Sequence, residues 1–505
     1  MRRARPPDLL ALCLAGAACA AGPRPAPAPT PPRLSLTEDE IEAIAEILEL
    51  EDRRAYDPER LPHLARDPHP EVRRRALLAM GRIGHRDAAP HLAAALADPH
   101  PGVRADAAFA LGELGDTAPA TVAALRRAAA GDDSAAAEAV AALGKLRTDA
   151  ARLAVEEVLR APTAAPATTA EALLALWRFP RHEHTAQLVL PFARAPDREL
   201  RWRATYALFR IADPATADEL LRLLRDPDPL VRSLAARGLR APLADSAGRR
   251  TAAAHALATA LEDPHPHVRI NALRALASYR DPALAPTAAR HVTDPDPNVA
   301  LTAVETLGAL GGPTAASTLH PLLHDPAARP ALRGAALAAL LRVAPEEARP
   351  HADEEAGRPD WLARLYAARA LAAAPWTHAE PLVRRLARDP DPRVAAAALA
   401  AAAAAADTTA PARALFIEAL ASADALVRAA ALQGLGRRPE PADLPLLLEA
   451  YERARHDTIP DAALAAIDAL GALADRGTPV AHSFLRRFPR PEDPLVRAKI
   501  GRAHV

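Results

Sequence analysis

Residues 67–84 read DPHPEVRRRALLAMGRIG, and residues 98–115 read DPHPGVRADAAFALGELG. The phrase returns 31 residues later with its aspartate, prolines, valine, arginine and glycines in register. Aligned on the valine, the slot recurs at Val72, Val103, Ala135, Thr168, Leu200, Val231 and Val268. It continues at Val299, Leu332, Ala363, Val394, Val427, Ala462 and Val496, in steps of 31 to 37 residues. Positions four, five and eight past the slot are nearly always apolar, as in Ala107, Ala108 and Leu111. That spacing is one face of an α-helix. Gly81, Gly112, Gly144, Gly308 and Gly471 stand nine past the slot. Glycine lowers helix propensity, so close approach of a neighbouring helix is the better reason for it. Trp177 falls in this glycine slot and is assigned to the core.

The DPxP before the slot reads as a helix start. Asp67, Asp98, Asp226, Asp263, Asp294 and Asp389 stand where a carboxylate caps free amides, and proline suits the first helical turn. A second apolar stretch precedes each start, such as APHLAAALA (89–97) or ADELLRLLR (217–225). The unit is therefore helix, short turn, helix. Such a unit buries its apolar face only by stacking on neighbours, which makes a solenoid. The expectation is an all-α solenoid of about 14 helical hairpins over 67–498, on the order of 100–140 Å along its contour. Residues 37–66 read as N-terminal capping helices, opened by a capping box of Thr37 and Glu40. The long step between Val231 and Val268 predicts an inserted loop near 244–250. The acidic, irregular stretch 345–360 predicts a break in the rod.

Composition agrees with helices and little else. Aromatics are 3% of the 505 residues, and the formal net charge is +0. A neutral chain has no general attraction to nucleic acid or anionic lipid. The arginine-rich stretch 72–82 is the one candidate for phosphate contact. Lysine occurs only at Lys145 and Lys499, and cysteine only at Cys13 and Cys19. Disulfide and thiolate-metal chemistry is thereby confined to the first twenty residues. Residues 1–22 carry a basic start, an apolar run from Leu9 to Ala18 and small residues, the layout of a secretory signal. GAAC (16–19) resembles a bacterial lipoprotein cleavage site, with Cys19 as the lipid-bearing residue; Gly16 departs from that pattern and plain secretion is the alternative. A proline-rich tether, 23–36, follows.

The repeated DPxPxVR…A…G phrase resembles HEAT repeats, in the short bacterial form also called PBS-lyase-like. The resemblance implies an interunit ladder built from the turn aspartate and the arginine six residues on. Asp67/Arg73, Asp98/Arg104, Asp226/Arg232 and Asp263/Arg269 keep that pair. Ala300 and Ala395 follow Asp294 and Asp389, so the ladder is expected to break there. The opening EDRRAYDPERLPHLARDPHPEVRRRALLAMGRIG (51–84) is similar to the N-terminal array of exported bacterial proteins carrying a cyclophilin-type peptidyl-prolyl isomerase. A bilin-lyase activity follows from the repeat's name alone and is set aside.

Catalytic signatures are missing: there is no GxSxG, no HExxH and no glycine-rich phosphate loop after a strand. His182/His184, His265/His267 and His320/His324 are the histidine groupings. The last pair has metal-ligand spacing, but no third ligand is nominated, and no metal or cofactor is expected. Trp202 and Tyr206 stand two and six past the Leu200 slot, and Phe109 is six past Val103, positions outside the apolar face. These three are the candidate anchors for a partner. The final unit opens as PEDPLVRA and ends KIGRAHV. IGRAHV is what a common sequencing-adapter string encodes, so 499–505 are expected to be adapter-derived. The sequence reading is an exported, lipid-anchored scaffold that binds protein along a concave face. Nucleic acid is not an expected partner, and the membrane is met only through Cys19. The alternative is the non-catalytic part of an envelope peptidyl-prolyl isomerase.

Overall fold

The computed structural model describes residues 36–476 apart from 163, 181, 183, 326 and 406–409. The signal, nearly all of the tether, Cys19, the unit at Val496 and the 499–505 tail lie outside the described residues. Among the described residues there are 28 α-helices, six short 3₁₀ turns and no strand. Each unit is a short first helix, a turn and a second helix. Ala89–Ala95 precedes Pro101–Leu114, and Pro119–Ala129 precedes Ser134–Leu146. Second helices stack on one another in chain order, from Pro70–Ile83 on Pro101–Leu114 to Ala425–Arg437 on Asp461–Asp475. First helices form a parallel row resting on them.

The core lies between the two rows. The slot residues Val72, Val103, Val231, Val268, Val299 and Val394 are fully buried, as are Met80, Leu111, Leu143, Leu208 and Leu307 eight positions on. Each such side chain contributes roughly 1.5–3 kcal/mol. The glycine slot is a contact point between successive second helices. A Cβ on Gly81 would lie 2.7 Å from Ala110 Cα, and one on Gly308 2.7 Å from Ala339 Cβ. Gly84 ends its helix in the left-handed region, at φ 79, where a side chain would be strained.

The turn aspartates have a different job from the one expected. The capping position is two residues further on. Asp228 and Asp296 cap their helices, and His69 Nδ1 accepts the Glu71 N–H at 3.2 Å. Asp67, Asp98, Asp226, Asp263, Asp294 and Asp389 instead accept the backbone N–H two residues ahead, shaping the turn before the helix.

Three further expectations are resolved by packing. The capping box is formed: Thr37 Oγ accepts from the Glu40 N–H, and the Glu40 carboxylate accepts from the Thr37 N–H at 2.7 Å. The Glu38–Asp52 helix it opens covers the Pro70–Ile83 helix. The insertion before Val268 is a short helix, Ala241–Ser246, followed by a turn at 247–249, so the expected loop shrinks to that turn. Ala241 N–H donates to Ser278 Oγ at 2.9 Å, and the buried Tyr279 hydroxyl donates to Leu239 O at 3.0 Å. No break occurs at 345–360. Pro345–Ala356 is a helix that packs against Pro330–Val343, Trp361–Ala370 and Trp376–Leu386. Glu346, Glu347, Asp353 and Glu354 face outward while Ala348, Ala352, Ala356 and the side chain of Glu355 are buried, so the amphipathic pattern was present beneath the charge.

Candidate protein-binding site

Along the edge where the turns lie, arginines join the units. Arg73 donates to the backbone carbonyls of Asp67 and Pro68 in its own turn, then to both carboxylate oxygens of Asp98 in the next unit, each at 2.8 Å. Arg232 grips Asp226 O and Pro227 O and reaches Asp263; Arg269 grips Asp263 O and Pro264 O and reaches Asp294. Arg104 repeats the pattern with Asp98 O and with Asp133 of the following unit. The arginine thus pairs with the next unit's carboxylate, and its own turn contributes carbonyls. Asp294 and Asp389 are therefore held, by Arg269 and Arg364, although alanine stands six residues after each of them. Arg201–Asp226 and Arg428–Asp457 are rungs that the Asp-to-Arg spacing missed, because the partner is in the next repeat. Burial raises the carboxyls of Asp98, Asp133, Asp263 and Asp294, but the arginine hydrogen bonds and charge outweigh it and hold them below the usual range.

The exposed face of the second-helix row carries the aromatics. Tyr206 meets Trp177 edge-on at 6.3 Å and Phe209 edge-on at 6.0 Å. Arg210 lies 3.9 Å over Trp177, and Arg237 4.9 Å over Phe209. All three rings are half-buried, so Trp177 is not core as the sequence suggested. Phe209, in the same slot of the next unit and inside its own helix, is half-buried in the same way, so this slot does not enclose a large ring. Trp202 stands apart from this cluster in its ring contacts. Its indole N–H donates to Glu199 at 2.9 Å, and Arg203 lies 4.3 Å over the ring. Phe109 is three units before Trp202, beneath Lys145 at 4.5 Å.

Of the three aromatic anchors, the structure joins only Tyr206 to other rings, and those rings, Trp177 and Phe209, were not nominated. Both stand nine past their slots in successive units, so two aromatics in adjacent glycine slots was the available signal. Among these groups sits Glu171. Burial pushes its carboxyl up and Glu138 adds to this, against the opposing charges of Arg178, Arg203 and Lys145. The face is aromatic and predominantly cationic, a combination suited to holding a chain with acidic and apolar side chains.

Other charged groups are structurally engaged. In the arginine-rich stretch, Arg73 pairs with Asp98, Arg74 with Asp106, Arg75 with Glu71 and Arg82 with Glu51, so it offers no free cationic patch for phosphate. The buried Glu219 lies between Arg194 and Arg222 at 2.7 and 2.5 Å. His265 and His267 are ring neighbours at 5.3 Å in their turn, and His182 and His184 at 6.3 Å in theirs. Among the described residues, no helix is long and apolar enough to cross a membrane.

A family model for HEAT repeats matches residues 58–144, 153–240, 253–341, 379–468 and 413–503. The chain belongs to the HEAT-repeat family. Its array resembles a chain of the solved Kap95:Nup1 complex, with TM-score 0.50 and 13% identity over 91% of this chain and 81% of that one. A chain of a structure of Kap95p binding RanGDP aligns at TM-score 0.42 and 14% identity, over 93% and 70%. An engineered protein aligns at 0.30 and 18%, over 83% and 99%. Comparison with curated proteins gave no match. At these identities the likeness is one of fold: an all-α HEAT solenoid.

Proposed function

We propose that this HEAT array is a scaffold that binds an acidic, extended segment of a protein partner across its second-helix row, centred on Trp177, Tyr206 and Phe209. The observation that carries the reading is the edge-to-face cluster of these three half-buried rings with Arg210 and Arg237 stacked upon it. A solenoid of this fold has been solved in complex with Nup1, which supports a protein as partner class. Trp202, on the same helix as Tyr206, and Phe109, on an earlier second-row helix, each lie under a cation of their own.

A photo-crosslinking residue at Tyr206, in the full chain mixed with envelope extract, should give discrete protein adducts. The same residue at Arg126, on the first-helix row, should not. Combining the probe with Trp177→Ala and Arg210→Ala should abolish the adducts. Equal labelling from both positions, or adducts indifferent to those substitutions, would refute the site.

The proposal includes export of the chain to a bacterial envelope with lipid on Cys19, on the strength of the signal-like residues 1–22. Metabolic labelling with a fatty-acid analogue that is lost in Cys19→Ala tests it. A second reading makes the array the non-catalytic part of a peptidyl-prolyl isomerase protein and rests on the similarity of residues 51–84. In that case the chain itself should not accelerate isomerisation of a proline-containing test peptide; measurable turnover would contradict both readings.

A further inference from the structure

His320 and His324 lie four apart on the Pro313–His324 helix, and His351 and Glu354 three apart on Pro345–Ala356, the first helix of the next unit. Residues so spaced share a helix face. Packing brings the two faces together: the His351 ring lies 4.8 Å from His324 and 5.4 Å from His320, both edge-on. One ligand atom each from His324, His351 and Glu354 lie within 4.8 Å of one another.

We propose that His324, His351 and Glu354 form a binding site for a divalent transition-metal ion of the zinc class, bridging two successive units of the first-helix row. Two imidazoles and a carboxylate are a donor set that zinc accepts, with the fourth position left to water or to His320. Metal–ligand distances of about 2.0–2.2 Å require the donors to close by about 1 Å. His324 and Glu354 are exposed and can swing to do so. Their present competitors are weak surface contacts: Arg358 lies 3.3 Å from Glu354, and Glu347 lies 3.0 Å from His320. Hard cations such as calcium prefer all-oxygen sites and are excluded by the imidazoles. A bound ion would tie the Pro313–His324 helix to Pro345–Ala356, joining two successive units.

The test uses the untagged full chain titrated with Zn²⁺ by calorimetry and with Co²⁺ by visible absorption. The wild type should bind one ion per chain, show the d–d bands of an imidazole-bound cobalt, and melt at higher temperature with Zn²⁺. His351→Gln and His324→Gln should each weaken binding by about 100-fold or more and remove the thermal shift. His378→Gln, on a neighbouring first-row helix but outside the donor set, should behave as wild type. Zinc binding unchanged in His351→Gln, or no binding beyond that of the His324→Gln/His351→Gln double variant, would overturn the proposal.

Discussion

Gly81→Ala tests the interunit contact most directly. On an isolated helix, alanine for glycine is favourable by about 1 kcal/mol. In this array the added Cβ would stand 2.7 Å from Ala110 Cα, 2.8 Å from its Cβ and 2.9 Å from its carbonyl oxygen. Carbon atoms in contact prefer about 3.5–4.0 Å, so the Pro70–Ile83 and Pro101–Leu114 helices must separate by about 1 Å. A gap of that size forfeits about a quarter to a half of the dispersion energy across it, and insertion into a packed core costs about 1–3 kcal/mol. Net of propensity, we expect a loss of about 1–2 kcal/mol, opposite in sign to the isolated-helix effect.

Because a solenoid is a chain of local interfaces, the loss should be local. Hydrogen exchange should show faster opening in residues 70–83 and 101–114, with the helix at 461–475 unchanged. Gly102→Ala is the internal control. Its Cβ would meet only the movable side chains of His100 and Arg74 at 3.1–3.4 Å. It should be neutral or stabilising by about 0.5–1 kcal/mol. If Gly81→Ala protects as well as wild type, the glycine slot is not a contact point and the reasoning fails.

Arg232→Ala should destabilise by about 1.5–3 kcal/mol in urea unfolding, since the Asp263 carboxylate and two carbonyls lose a charged donor. Arg232→Lys should recover only part of this, because an ammonium cannot reproduce the planar fork. The ladder carboxyls Asp98, Asp133, Asp263 and Asp294 have folded pKa values below their unfolded ones. Their stabilisation is therefore present above about pH 4 and should disappear as pH falls through the folded values; a melting temperature flat down to pH 2 would contradict it. Tyr279→Phe leaves Leu239 O without its donor and should cost about 1–2 kcal/mol, while in the wild type burial pushes the Tyr279 hydroxyl up to about 12, so tyrosinate absorbance should lag in alkaline titration. Glu171 has the opposite sign from the ladder: its raised carboxyl opposes folding above its ordinary pKa, so Glu171→Gln should melt higher at pH 7 and match wild type at low pH.

Much of the fold was legible because a period of some thirty residues repeats a helical apolar face, a helix start and a glycine. Those are local instructions, and stacking follows from each unit's inability to bury its own face. The charge in 345–360 masks an ordinary amphipathic helix, and Ala241–Ser246 is too short to show a period, so only the turn at 247–249 is legible in the insertion after Leu239. Tyr206 was legible as an outward residue. Trp177 was not, since its slot says core, whereas a large ring in that slot, there as at Phe209, stays half-exposed.

The sequence by itself determined the paired helices, their order and the positions of the slot residues, because hydrophobic period and turn chemistry act over a few residues. Only the tertiary structure decided which carboxylate each arginine takes, which rings touch, and that His351 and Glu354 come to lie beside His324. Apart from Tyr206 and Phe209 on one helix, those partners are 25 or more residues away, in the neighbouring unit, and their meeting depends on the rotation and translation between stacked hairpins. No single repeat carries that information.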